Sequence, residues 1–532
     1  MKLNSRNLEV ILVFLLYLSS VYIWTLPIQK NPFPFGDVDA SSHFTVGDFM
    51  VSTDHSIAKL PYPVDLRYGT QNSGFPHYIW YPPQYWTNTA IASIIGGDRI
   101  FSFFILIAVF SSLIVITSYF LIKKLFGFWP AFLSSLLLIF SGRDVMIYLW
   151  GQWPQSLSFA LTPLVIYCFY RYYSQGQKNE HKPVYLYIMS MLIVAQYLFH
   201  PEGMIVSVAT IAVFSLVVLI KDRKIFFEFK HTIGAALVII ILSALLAPFN
   251  FGEFFSQVSE GSSGGKEPLH LEKLFSWYHI KNDPGIPDFY FQYGKVHGSL
   301  IGAPFSYWTL PFLFFGIFTL FYRRKNEDWL LISWLVSLYF LTRLSIISGS
   351  GRDARMFGYE AHVFYPIIAI GLLSISSFFK NNLRQYVKYF LIACFIFLAV
   401  SVNGKSAYAT LSSMQNSISR INPSQNDAAV WLSQNTPEDA GIYDCGTLGF
   451  QNFAAKIKWM GVLSRRYFMI NNDEFHLVNY VLVDYTDAVN LRRQDYVNFL
   501  QGYEFKLNMT PVYNKGDIRI YKTKINKTCD LQ

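Results

Sequence analysis

The feature that most constrains this chain is the clustering of its apolar residues into runs of roughly 17–20 positions with few or no charges inside, the length a helix needs to cross a hydrocarbon core about 30 Å thick. A soluble chain of similar size spreads its charges along amphipathic faces. Here 52% of the residues are hydrophobic and 14% are charged, against about 25% charged in soluble domains. The expected fold class is therefore an α-helical polytopic membrane protein, and a soluble globular fold is excluded. The runs are Leu8–Leu26, Ile100–Ile122, Pro130–Phe140, Leu157–Phe169, Val184–Phe199, Met204–Ile220, Ile233–Pro248, Tyr307–Tyr322, Trp329–Ile346, His362–Phe379 and Tyr389–Val402, about eleven transmembrane helices. Several are short and must extend into polar flanks, so their ends are soft by about a turn.

The first run follows Lys2 and Arg6 and so has the flank of a signal peptide. It is longer than a typical signal core, however, and Thr25-Leu26-Pro27 offers no small-x-small cleavage site, so it is expected to remain as a helix. The net charge of +9 does not indicate nucleic acid, because no Arg/Lys tract is interleaved with aromatics. The positive charge sits instead in alternate short connections, among them Lys123/Lys124, Lys221/Arg223/Lys224, Arg323/Arg324/Lys325 and Lys380/Arg384/Lys388. By the positive-inside rule those connections and the N-terminus are expected to be cytoplasmic, and the long connections extracytoplasmic. The expected localisation is thus a multi-pass protein of the cell membrane, with residues 1–403 forming the membrane domain and residues 404–532 an extracytoplasmic tail.

That tail reads as a small α/β domain. Asp427–Gln434 carries helix signals, ended by Asn435-Thr436-Pro437; Val478–Tyr485 and Asp517–Thr523 read as strands, with Asn514-Lys515-Gly516 as a turn signal. Asn508-Met509-Thr510 and Asn526-Lys527-Thr528 are glycosylation acceptor patterns, meaningful only outside. Cys168 and Cys394 lie in apolar runs, whereas Cys445 and Cys529 lie in the tail, where an oxidising exterior permits a bridge. No catalytic cluster is evident in the tail.

The first external loop, residues 27–97, is long for a connection and crowded with aromatics in its second half, from Tyr62 to Trp86, which suits function better than disorder. It opens with Phe35-Gly36-Asp37-Val38-Asp39-Ala40-Ser41-Ser42-His43-Phe44. A helix beginning near Asp39 would present Asp39 and His43 on one face. Asp37 or Asp39 is also a plausible helix N-cap, but two carboxylates immediately beyond a membrane helix with no adjacent Lys or Arg favour function.

Asp39-x-x-x-His43-Phe44, just beyond the first apolar run, resembles the C-type (GT-C) membrane glycosyltransferases. Catalytic subunits of oligosaccharyltransferases carry Asp-x-x-x-His at this place, and protein O-mannosyltransferases carry Asp-Glu-x-His-Phe. Tyr81-Pro82-Pro83 is similar to the segment that often closes the same loop. The resemblance covers the topology of the whole chain, with its motifs mostly in residues 36–86. It implies a polyprenyl- or dolichyl-phosphate-linked sugar as donor, a glycan or protein as acceptor, and Asp39, Asp37 and His43 as catalytic residues. It also implies a second acidic position between the third and fourth runs, which Asp144 in Ser141-Gly142-Arg143-Asp144 matches; an Arg143–Asp144 interfacial pair is the plainer reading of that segment. External arginines run against the positive-inside bias. Arg355, Arg352 and Arg143 are thus expected to hold the lipid phosphate, since the guanidinium is a permanently charged fork of donors; pairing of Arg352 or Arg355 with Asp353 or Glu360 is the alternative.

His200 and Glu202, in the turn between the fifth and sixth runs, are ionisable groups near membrane depth and, with Tyr81, are candidates to contact donor or acceptor; a polar turn that merely reaches water is the alternative reading of His200 and Glu202. The flexible composition Gly261-Ser262-Ser263-Gly264-Gly265 suits a loop that covers the donor. The tail has no Trp-Trp-Asp-Tyr-Gly, the acceptor-reading element of oligosaccharyltransferases. The expected reaction is an inverting displacement onto an acceptor hydroxyl. No cofactor is required, though a divalent metal (Mg or Mn) between Asp39 and Asp144 is compatible with it. An oligosaccharyltransferase or glycan polymerase/ligase using a lipid-linked oligosaccharide shares this chemistry. A lipid-linked glycan flippase is the non-enzymatic alternative, disfavoured because the charges gather on one surface rather than at the midplane and no internal repeat is evident.

Overall fold

A computed structural model describes residues 5–36, 38–52, 84–178, 180, 182–222, 228–246, 307–341, 357–416, 420–446, 454–468, 478–490 and 492–523. Each apolar run lies on a helix over its described residues, and further helices lie between the runs. The helices are α1 (Ser5–Trp24), α2 (Leu26–Gln29), α3 (Val38–Ser52), α4 (Gln84–Gly96), α5 (Phe101–Phe126), α6 (Phe128–Ile139), α7 (Gly142–Trp150), α8 (Trp153–Gly176), α9 (Val184–Phe199) and α10 (Pro201–Asp222). There follow α11 (Phe229–Leu246), α12 (Leu310–Arg323), α13 (Asn326–Leu341), α14 (Ala361–Ile375), α15 (Asn381–Leu398), α16 (Lys405–Ser413) and α17 (Pro423–Asn435). Among the described residues six helices are long and apolar enough to cross a membrane, and α6, α9 and α12 are shorter apolar helices. The chain is a helical membrane protein.

Local chemistry turns the chain at each end of the bundle. Lys123 and Lys124 lie in the last turn of α5, where the helix dipole favours cations. Gly127, at φ +90°, then reverses the chain into α6. Pro201 opens α10 with Glu202 in its first turn, the residue types that suit a helix start. The basic end is fastened by Lys221 donating to Asn326 (2.7 Å) and Tyr170 donating to Glu327 (2.7 Å).

Helices α12 and α14 meet backbone to backbone. A Cβ on Gly371 would stand 2.0 Å from the Phe312 carbonyl oxygen, and one on Gly316 would stand 2.2 Å from that of Ile367. Small residues permit such approaches where lipid gives helices no hydrophobic reason to associate. Gly371→Leu is therefore expected to abolish the folded, monodisperse peak in detergent size-exclusion chromatography. Wild-type yield and elution would show that the contact is dispensable.

The C-terminal segment contains the helix and strands the sequence suggests, with others between them. Asn422 and Gln425 form a capping box that starts α17. Then come β1 (Gly441–Cys445), α18 (Ala454–Ser464), β2 (Tyr467–Phe468), β3 (Val478–Asp484), α19 (Thr486–Asn490), α20 (Gln494–Leu507), β4 (Tyr513–Lys515) and β5 (Ile518–Lys522). The sheet order is β2-β1-β3-β5-β4; β1 pairs parallel with β2 and β3, while β5 pairs antiparallel with β3 and β4. Both expected strands are present, and the expected helix begins earlier, at Pro423. Cys445 is disulfide-bonded and Cys168 and Cys394 are free; Cys529 lies outside the described residues. Lys456 and Asp487 form a buried ion pair (2.5 Å), and burial pushes the Asp487 carboxyl up to about 6 against the opposing pull of Lys456.

The C-terminal segment is clamped to the first loop. Asp48 on α3 is buried and accepts from Arg99 (2.6 and 2.8 Å) and from Arg465 (3.2 and 3.3 Å). Arg99 also donates to the Val462 and Leu463 carbonyls at the end of α18. The buried Arg420 guanidinium donates to the carbonyls of Pro27, Asn31, Phe33 and Pro34, fixing the chain as it leaves α2. Residues 27–36, 38–52 and 84–99 of the first loop and its edge are thus joined by side chains to the described part of the tail, two regions read separately in the sequence.

Candidate active site

Between the third and fourth apolar runs, where a loop was expected, the chain forms the helix α7. Ser141 caps it, its hydroxyl accepting from the Asp144 backbone N–H (3.3 Å), so Asp144 sits in the first turn, where the helix dipole favours a carboxylate. Asp144 is 7% exposed. A carboxylate can only accept, so the 2.7 Å contact between its Oδ1 and Nε2 of His362 is a hydrogen bond donated by the imidazole. His362, second residue of α14, is 2% exposed. Neither Asp144 Oδ2 nor His362 Nδ1, both buried, has a hydrogen-bond partner among the described residues. Two buried polar atoms of this kind, on either side of one hydrogen bond, call for partners from a ligand, water or ion.

The start of α3 is braced against this helix. α7 ends at Gly151, whose backbone is left-handed (φ +84°, ψ 16°). A Cβ on Gly151 would lie 2.4 Å from the Ala40 backbone nitrogen. Gly36, at φ +108°, is also pressed against Ala40, its ideal Cβ 2.6 Å from the Ala40 Cβ. The expected helix near Asp39 therefore exists, and the residue after Asp39 rests on the turn that closes the Asp144 helix. Asp39 is described for its backbone only, and Asp37 lies outside the described residues.

His43 is one helical turn further along α3 and 9% exposed. Trp86 Nε1 donates to its Nδ1 (3.2 Å), which places the neutral ring's proton on Nε2. Tyr85, Trp86 and Trp153 surround it with ring centroids 6.1, 6.1 and 6.5 Å away. This arrangement fixes the ring's orientation.

The first turns of α8 join the remaining groups. Gln155 donates to the Glu202 carboxylate. Ser158 donates to the His200 carbonyl (2.7 Å), and the Glu202 backbone N–H approaches His200 Nδ1 at 3.4 Å. Ser156 and the Tyr359 hydroxyl are 3.3 Å apart. Tyr359 stacks on Phe159 (centroids 3.8 Å apart) and stands 5.4 Å from the His362 ring. The structure thus gathers Asp144, His200 and Glu202, the start of the Asp39 helix, and His43 at one end of the bundle. Sequence reasoning missed His362 and Tyr359 and named the buried Glu360 only as an alternative partner of Arg352 or Arg355; the available signal was two ionisable groups opening an apolar run, where burial is costly without a purpose. Arg143 lies in α7 with its side chain outside the described atoms. Tyr81, Arg352 and Arg355 lie outside the described residues, as does the loop from Asn250 to Pro304. Among the described residues no group of three or more His, Cys, Asp or Glu is arranged to hold a metal ion. The buried, unpaired Asp144 Oδ2 nonetheless fits one ligand of a divalent cation.

A family described as "Family of unknown function (DUF6541)" matches residues 63–358, more than half of the 532 residues. No curated protein matches the chain. Among solved structures, it is similar to the oligosaccharyltransferase AglB of Archaeoglobus fulgidus in complex with an inhibitory peptide and a dolichol-phosphate: TM-score 0.58, 14% identity, 90% of this chain and 69% of that one. A complex of the oligosaccharyltransferase from that organism with Zn and sulfate gives TM-score 0.56 at 15% identity, with the same coverage. ArnT of Cupriavidus metallidurans bound to undecaprenyl phosphate gives TM-score 0.57 at 11% identity over 96% of this chain and 97% of that one. At such identities the likeness is one of fold, and that fold is the GT-C fold expected from the first loop.

Proposed function

Because the chain belongs to the DUF6541 family and has the fold of the GT-C membrane glycosyltransferases, we propose that it moves a sugar from a polyprenyl- or dolichyl-phosphate donor to an acceptor hydroxyl by inverting displacement. The observation that carries this reading is the buried Asp144–His362 pair, with an unpartnered polar atom on each side, on a helix whose closing turn supports the start of the Asp39 helix. The dolichol-phosphate and undecaprenyl phosphate bound by the AglB and ArnT structures support a lipid-phosphate donor here. The topology proposed is about eleven spans, with a cytoplasmic N-terminus, the site and residues 404–532 outside, and the membrane part in residues 1–403.

In the proposed reaction Asp39, with Asp37 as its alternative, takes the acceptor hydroxyl proton as the oxygen attacks the anomeric carbon. The bond from that carbon to the phosphate oxygen breaks, and its electron pair leaves with the lipid phosphate. Arg355, Arg352 and Arg143 stabilise the charge that develops there. Asp144 Oδ2 accepts from one donor-sugar hydroxyl, His362 Nδ1 hydrogen-bonds a second, and the two hold the ring in line. His43 keeps the wall behind the base rigid, and Tyr81, His200 and Glu202 border the donor or acceptor. A divalent cation held by Asp144 and Asp39 would supply neutralising charge at the phosphate.

The test is to incubate the purified protein with radiolabelled polyprenyl-phosphate sugars and a panel of glycan and peptide acceptors. Label should move to one acceptor class with equimolar release of polyprenyl phosphate. Were label never to leave the lipid, while the intact labelled lipid crossed the bilayer of proteoliposomes, the flippase reading would replace this one.

A further inference from the structure

At the end of the bundle opposite Asp144, a groove of about 1440 Å³ opens between the ends of α5, α12 and α14 and the starts of α6 and α15. Its walls include Phe128, Trp129, Phe315 and Phe318, and its mouth carries Arg384 and Lys388. These two cations are four residues apart on α15 and so share one helix face. α15 begins a stretch, Leu383–Ser413, apolar enough to span a membrane, which sets its first turns at headgroup depth.

The charges around the mouth are unequally matched. Arg323, also on the lining, is held by Asp328, which accepts from its Nε at 3.0 and 3.1 Å. The neighbouring Glu327 accepts from Tyr170, and Glu9 is held by Lys123 and Tyr119. Among the described residues Arg384 and Lys388 have no carboxylate within ion-pair distance. The groove is wider than the roughly 300–1,000 Å³ typical of small-molecule pockets, as two chains side by side require.

We propose that this groove binds an anionic diacyl phospholipid, its phosphate between Arg384 and Lys388 and its acyl chains along the aromatic walls. Aromatic walls take chains, two unpaired cations take a phosphate, and a basic pocket between membrane helices suits an anionic headgroup over a zwitterionic one. The groove shares no residue with the Asp144 site, so the inference stands apart from the proposed reaction.

Native mass spectrometry of the full chain in detergent, with added phosphatidylglycerol or phosphatidylcholine, reads this directly. Wild type should retain one phosphatidylglycerol with about a tenfold preference. The double variant Arg384→Gln/Lys388→Gln, eluting as wild type does, should lose that preference and bind both lipids equally. Equal retention of the two lipids by wild type, or an undiminished preference in the variant, would overturn the proposal. So would displacement of phosphatidylglycerol by equimolar undecaprenyl phosphate, which would assign the groove to a single-chain carrier lipid.

Discussion

Asp39→Asn is expected to lower turnover by about a thousandfold while leaving yield, elution and donor binding near wild type. A positioned general base contributes roughly 10²–10⁴ in rate, and asparagine keeps the size of aspartate while losing its capacity to take a proton. The loss should appear in kcat with little change in KM, the signature of an interaction made only in the transition state. Asp144→Asn should behave differently. Its amide oxygen can still accept from His362, but the amide NH₂ then stands where Oδ2 stood and presents donors to donors. Donor binding should suffer with the rate, and KM for the lipid-linked sugar should rise. The two variants separate a base from a binding group, and Asp37→Asn completes the series. Full turnover in Asp39→Asn with a dead Asp37→Asn would move the base by two residues; full turnover in both would remove it from this segment.

How much of this was legible in the sequence depended on the range over which the information is carried. The bundle was legible because membrane length and hydropathy are local properties: α1, α5, α10 and α14 lie on expected runs. The helix at Asp39 was legible from a four-residue spacing, and the strands Val478–Asp484 and Ile518–Lys522 from turn signals and β-branched residues. What stayed hidden were pairings across long sequence separations. His362 lies 218 residues from Asp144, and at the edge of an apolar run it reads as a boundary. Asp48 finds Arg99 51 residues away and Arg465 417 away, so nothing near Asp48 reveals that it fastens the first loop to the tail. The helices α4 and α7 were missed for another reason. Both are short and mix aromatic with polar residues, because they pack on the bundle end rather than cross the membrane, and neither shows a clean period.

Gly151 is where that hidden geometry should have its largest effect outside the reacting groups. Gly151→Ala is expected to reduce kcat about a hundredfold in a protein that still folds. Two costs arise together. The left-handed backbone (φ +84°) costs a non-glycine residue roughly 1–2 kcal/mol, which lowers stability without touching chemistry. The methyl group would also lie 2.4 Å from the Ala40 nitrogen and 2.7 Å from its Cα; these are backbone atoms that cannot rotate aside, so the start of α3 must shift. Asp39 is the neighbouring residue, and a misplacement of about 1 Å at a reacting group costs on the order of 10² in rate. Gly97→Ala separates the two costs, because Gly97 has φ +69° but nothing within 4 Å of its ideal Cβ. It should lose comparable stability and keep its turnover. Ala40→Gly in the Gly151→Ala background removes the contact with the Ala40 Cβ but leaves the nitrogen in place, so rescue should be partial. Equal turnover in Gly151→Ala and Gly97→Ala would mean that the contact between α3 and the Asp144 helix does not position the base, and the catalytic assignment of Asp39 would lose its structural support.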